Sequence, residues 1–140
     1  MISSRPNDST QDLAKLLLRL LLGVLILLHG IGKLRNGNGF VLDVVTKAGL
    51  PGAIAYLSYV GEVVAPLLVI VGVYTRAAAA VIAINMLFAF ALVHSGQLFS
   101  LSNTGGWALE LQGMYLGTAI VIALLGAGRF SAGGISGRWN

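Results

Sequence analysis

In "LSYVGEVVAPLLVIVGVYTR", from Leu57 to Arg76, one carboxylate, Glu62, stands in a run that is otherwise apolar. A lone carboxylate withdrawn from water either finds a partner or takes up a proton. Glu62 is therefore a candidate proton relay. Asn85 is the expected partner: Glu62 lies nine residues after Ala53 and Asn85 nine after Arg76, about 13 Å from opposite ends of adjoining helices at about 1.5 Å per residue. A neutral Glu62 hydrogen-bonded to Asn85 follows. The plainer reading is that the pair only pins two helices together, a contact worth about 0.6–2 kcal/mol. The functional reading rests on the rule that an ionisable group at membrane depth marks a site or a pathway. Pro66, four residues on, cannot donate to the Glu62 carbonyl and favours a kink there.

A second set of polar residues sits at span ends. His29 and Lys33 are four apart in "LLHGIGKLRNGNG", His94 closes "FALVHSG", and Glu110 opens the last apolar run in "GGWALELQG". Antiparallel helices bring these ends to one side, so His29, Lys33, His94 and Glu110 are candidate ligand-binding residues. The plainer account makes Lys33 a snorkelling anchor, His94 a solvated end and Trp107 a belt aromatic. Glu110, Gly113 and Gly117 share a helical face, which directs Glu110 into the interior and offers Gly113-x-x-x-Gly117 for packing or a homodimer contact. Arg19, among leucines near the start of the first run, is expected to snorkel to the nearer surface.

The elements that must carry these residues are dictated by composition. Of 140 residues, 56% are hydrophobic and 10% charged, and the mean hydropathy is +0.86. That is a lipid-embedded chain, not a water-soluble domain. Four apolar stretches, Leu13–Ile31, Ala53–Val73, Ala77–Val93 and Leu109–Leu125, approach the length of about 20 residues that crosses a bilayer. The chain is thus an all-α membrane protein, a four-transmembrane-helix bundle. The domain organisation is an N-terminal tail over 1–12, a helical domain over 13–128 and a C-terminal tail over 129–140. Ser9-x-x-Asp12 is suited to cap the first helix, and "YTR" at Tyr74–Arg76 forces a hairpin between the second and third. "FVLDVVTKAGLPG" fits an interfacial piece.

Arg5, Lys15, Arg19, Arg76, Arg129 and Arg138 fall on one side and Lys33, Arg35 and Lys47 on the other, so both tails are expected in the cytoplasm, N-in/C-in. The basic residues, net +4, punctuate spans and form no nucleic-acid patch. No cysteine occurs, which excludes disulfides, thiolate metal sites and cysteine-held iron–sulfur clusters within the chain. No metal site is read from the sequence.

"RLLLGVLILLHGIGKL", "GLPGAIAYLSYVGEVVAPLLVIVGVYTRAAA" and "GGWALEL…GAGRFS" together resemble the DoxX family of small four-helix membrane proteins, over about Leu18 to Ser131. Glu62 and the His29-to-Lys33 motif match positions that look characteristic of that family. Its pattern often ends in Ser-Leu-Asp, whereas this chain reads "RFSAGGISGRWN". The resemblance implies a multi-pass protein of the bacterial inner membrane and, from the subunit that gives the family its name, thiosulfate:quinone oxidoreduction. The leading expectation is a quinone-binding subunit of a membrane oxidoreductase with a redox partner protein as electron donor. The alternatives are a non-catalytic scaffold or a small-solute-binding or transport protein. Last comes a haem-binding bundle, which would need both histidines.

Overall fold

The computed structural model describes residues 6–140. Helix α1 runs from Pro6 to Asn36, 31 residues or about 46 Å at 1.5 Å per residue. It is longer at both ends than the apolar stretch predicts. Proline is well suited to a helix's first position, and nothing breaks the turn until Gly37, whose φ is +84°. One expectation changes in consequence: Ser9 and Asp12 lie inside α1 and do not precede it. Lys33 lies within α1, as a shared face with His29 requires. Of the proposed N-terminal tail, Arg5 and the residues before it lie outside the described residues.

A short amphipathic helix, α2 (Gly39–Lys47), follows, with Asp43 and Lys47 paired on its exposed side. Next comes α3 (Gly52–Val71), which is not a uniform helix. It opens as a 3₁₀ turn over Gly52–Tyr56, takes one α turn over Leu57–Tyr59, widens into a π turn over Val60–Val64 and ends as α-helix over Ala65–Val71. Pro66 explains the widening: it has no N–H for the Glu62 carbonyl, and the ladder slips by one residue, the Ala65 N–H reaching the Val60 carbonyl.

Helix α4 (Thr75–Leu92) begins after a turn in which Gly72 and Tyr74 take left-handed conformations. The hairpin turn is thus Gly72–Tyr74, and Arg76 belongs to the first turn of α4. Helix α5 spans Glu110–Leu125. Helices α1, α3 and α4 are long and apolar enough to cross a membrane; α5 is a shorter apolar helix of 16 residues.

Their shared core is drawn from all four: Leu22 and Ile26 of α1, Val69 of α3, Ala79 and Ile82 of α4, and Ala119 and Ile122 of α5 are almost fully buried. Ala78 and Ala79 carry little side chain, which lets α4 approach its neighbours closely, as helices in lipid require. The large side chains left exposed, such as Leu17, Leu28, Phe88 and Leu124, give the bundle an apolar outer surface.

The segment after α5, expected as a tail, folds back on the α3–α4 turn. The N–H groups of Ala132 and Gly133 donate to the carbonyls of Val71 and Gly72, and that of Arg76 to Trp139. The Asn140 side chain accepts from the Thr75 hydroxyl at 2.6 Å. Asp12 accepts the Arg129 N–H at 3.1 Å, so it serves this segment and not the start of α1. Arg19 does not snorkel. It is 1% exposed, and its guanidinium donates to the carbonyls of Val69, Ile70, Ala127 and Phe130 at 2.8–2.9 Å. Those carbonyls end α3 and follow α5, where backbone acceptors lack helical partners.

Candidate functional site

Glu62 sits on the π turn of α3 and is 7% exposed. Its Oε1 receives two donors: the Lys33 ammonium at 2.5 Å and the Asn85 amide at 3.3 Å. The contact with Asn85 expected from the helical arithmetic is present. The ammonium was not expected there, and it changes the electrostatics: Glu62 is not a lone carboxylate but half of an ion pair. Lys33, counted at a span end, reaches Glu62 because α1 continues past Ile31 and carries it one turn beyond Gly30. Glu62 therefore lies level with the last turns of α1.

Two glycines make the approach possible. A Cβ on Gly30 would overlap the Glu62 carbonyl, and a Cβ on Gly61 would lie 2.6 Å from Asn85 Cγ. Only hydrogen at those positions lets α1 and α4 close on the π turn from either side. The second carboxylate oxygen, Oε2, is buried with no partner among the described residues, an arrangement that costs about 1–3 kcal/mol.

These three residues line one end of a cavity of about 250 Å³. Val41, Val44 and Val45 of α2 roof it, and α3 and α4 form its sides, including Val60, Ile84 and Phe88. Val60, Ile84 and Phe88 are also exposed, so part of the cavity wall is reached from outside the bundle. One turn before Glu62, Ser58 lines the same cavity. Its hydroxyl donates to the Ala55 carbonyl and accepts from Asn38 at 3.0 Å; Asn38 Oδ1 is a second buried acceptor without a partner among the described residues.

The remaining candidates lie elsewhere. His29 is exposed and meets the Tyr115 ring edge-on at 6.0 Å. His94 Nδ1 lies 3.1 Å from Gln97 Oε1. Glu110 is exposed and does not enter the interior: its carboxylate arches back over Gly106, as suits an acid at a helix N-terminus. Gly113 is covered by the Trp107 ring, which stacks on Phe90, while Gly117 has nothing within 4 Å. Of the six candidates, the fold brings together Lys33, Glu62 and Asn85, and leaves His29, His94 and Glu110 in three separate settings. Sequence reasoning missed Lys33 as the partner of Glu62, and with it Asn38 and Ser58. Gly30 and Gly61 were the available signal, since small residues on both strands of the contact mark close approach.

The ion pair, the amide and the unpartnered acceptor at the end of an apolar cavity make a place where a polar ring can be held with its body in oil. Such sites have apolar walls and few polar groups.

A family model described as DoxX matches residues 14–95. No curated protein and no solved structure matches the chain.

Proposed function

The chain belongs to the DoxX family, and from that premise we propose that it is a quinone-binding subunit of a membrane oxidoreductase, of the thiosulfate:quinone type or a related complex. In this reading it spans the bacterial inner membrane four times, N-in/C-in, with α5 as the fourth crossing and the basic count of six against three setting the orientation. The observation that carries the reading is the Lys33–Glu62–Asn85 cluster lining an apolar cavity.

A quinone supplies a ring that accepts two electrons and two protons. The residues present fit it. The Asn85 amide and the Lys33 ammonium are donors for a ring carbonyl, and Glu62 Oε2 is an acceptor in want of a hydroxyl. Lys33 contacts Glu62 through Nζ, and its side chain is 27% exposed, so the same ammonium that gives a proton to Glu62 takes up the next one. It passes a proton across the Nζ–Oε1 contact, and Glu62 presents that proton to the cavity. The valines of α2 add to its apolar lining. With no cysteine in the chain, the electrons come from a partner protein or a bound small molecule. The alternative scaffold reading, a homodimer through Gly113 and Gly117, has only Gly117 to offer, because Trp107 occupies the other.

The test is quinone retained by gently purified protein, measured in a lipid extract, together with quinone-linked turnover. Glu62→Gln and Lys33→Met should each lower turnover about 10²–10⁴-fold, the range for a lost acid–base group, whereas His29→Ala should leave it unchanged. Wild-type protein that retains no quinone, or a His29→Ala loss equal to that of Glu62→Gln, would defeat this assignment.

A further inference from the structure

A second cavity, of about 300 Å³, opens at the opposite end of the molecule, where α1, the first turn of α4 and the segment after α5 meet. Its charged lining residues are Asp12, Lys15 and Arg76. They are not equivalent. Asp12 is already engaged, by the Arg129 N–H at 3.1 Å and by Arg129 Nε at 3.8 Å. Arg76 is fixed in place by its Nη1, which donates to the Ala123 and Leu124 carbonyls, and by its Nη2, which donates to the Leu125 carbonyl at 3.4 Å; no hydrogen bond from its Nε is present among the described residues. Lys15 makes no side-chain hydrogen bond or ion pair with any described residue. Asn140 also lines the crevice, and even with an α-carboxylate there, Lys15, Arg76 and Arg129 outnumber Asp12 and that carboxylate by one cation, an imbalance suited to one anion.

The surroundings say which anion. Leu125 and Ile135 also line the crevice, and Ile135, Tyr74 and Trp139 are 69%, 48% and 62% exposed. Exposed aromatics at the end of a span sit at the level of lipid head groups, and basic pockets between helices at that level hold anionic head groups. Inorganic phosphate would use the cations and none of the apolar rim. We propose that this crevice binds the phosphodiester head group of an anionic phospholipid, between Lys15 and Arg76, with the acyl chains lying along the exposed flank. The lipid would tie the start of α1 to the start of α4. The inference is independent of what occupies the other cavity.

The test is the preference of the protein boundary for spin-labelled phosphatidylglycerol over spin-labelled phosphatidylcholine, in nanodiscs of the two lipids. Lys15 has no side-chain partner among the described residues to lose, so Lys15→Gln should fold. It should reduce the preference about fivefold, which is the roughly 1 kcal/mol carried by one basic residue at an anionic surface. Arg138→Gln removes an exposed cation at the same end but outside the crevice, and should change the preference less than about twofold. Three results would overturn the proposal: no preference in the wild type, equal losses in the two variants, or complete displacement of the labelled lipid by inorganic phosphate.

Discussion

Lys33 and Asn85 aim their nitrogens at the same oxygen of Glu62, and the other has no donor among the described residues. Stability alone does not account for this. An interhelical polar contact in a membrane contributes about 0.6–2 kcal/mol, whereas desolvating each ion costs several kcal/mol and an orphaned acceptor about 1–3 more. Apolar residues of similar volume would pack the same space at lower cost, which is why the proposed function gives the pair a role beyond packing. The pair should nonetheless be strongly coupled, because removing either partner strands the other. Lys33→Met and Glu62→Gln should each destabilise the protein. In the double variant the loss should be smaller than the sum, with a coupling energy of about 1–3 kcal/mol in a double-mutant cycle. Unfolding in detergent measures it. A coupling under about 0.5 kcal/mol would mean that the two charges are stabilised independently and that their contact adds no stability.

At the scale of the helix, the site depends on backbones that approach closely, and the glycines divide into those that permit it and those that do not. Gly30 faces the Glu62 carbonyl and the Val63 side chain, with no room for a methyl group, whereas Gly117 of α5 faces open space. Gly30→Ala should therefore cost about 1–3 kcal/mol by overpacking and loosen the Lys33–Glu62 contact with it. Gly117→Ala should lie within about 0.5 kcal/mol of wild type. Thermal unfolding of the two variants in one detergent decides the matter, and a larger loss at Gly117 would mean that α5 packs against something outside the chain. The sequence made part of this legible. The apolar stretches located α1, α3 and α4, and equal offsets from opposite ends of two helices joined by a short turn were enough to pair Glu62 with Asn85. What it concealed has physical causes. Polar residues beyond Ile31 masked the continuation of α1 that delivers Lys33, because hydropathy marks where oil ends and not where the helix ends. The π turn left only Pro66 as a trace, and a proline at that spacing is equally compatible with a simple kink.

Across the whole molecule, the half near the α3–α4 turn is closed by side chains bonding to backbone that the helices leave unsatisfied. Asn140 takes the donors at the start of α4, Arg76 takes carbonyls at the end of α5, and Arg19 takes carbonyls at the end of α3 and just after α5. This clasp was invisible in the sequence because an arginine among leucines, near a span end, ordinarily reaches for water, and nothing local tells an arginine that finds water from one that finds carbonyls 50 and 108 residues away. The distinction can be measured. A snorkelling arginine is replaceable by lysine, which reaches the same surface with the same charge. A planar fork with Nε, Nη1 and Nη2 all bonded is not, because an ammonium cannot span acceptors on two segments at once. Arg19→Lys should accordingly destabilise the protein by about 3 kcal/mol or more, since hydrogen bonds to a charged group contribute about 1.5–3 kcal/mol each. Hydrogen exchange should rise at the Ala132 and Gly133 amides, which hold the final segment to α3. If Arg19→Lys unfolds with the wild type and those amides stay protected, the guanidinium does not bind the two segments together. The closure would then rest on Asn140 and the backbone bonds alone.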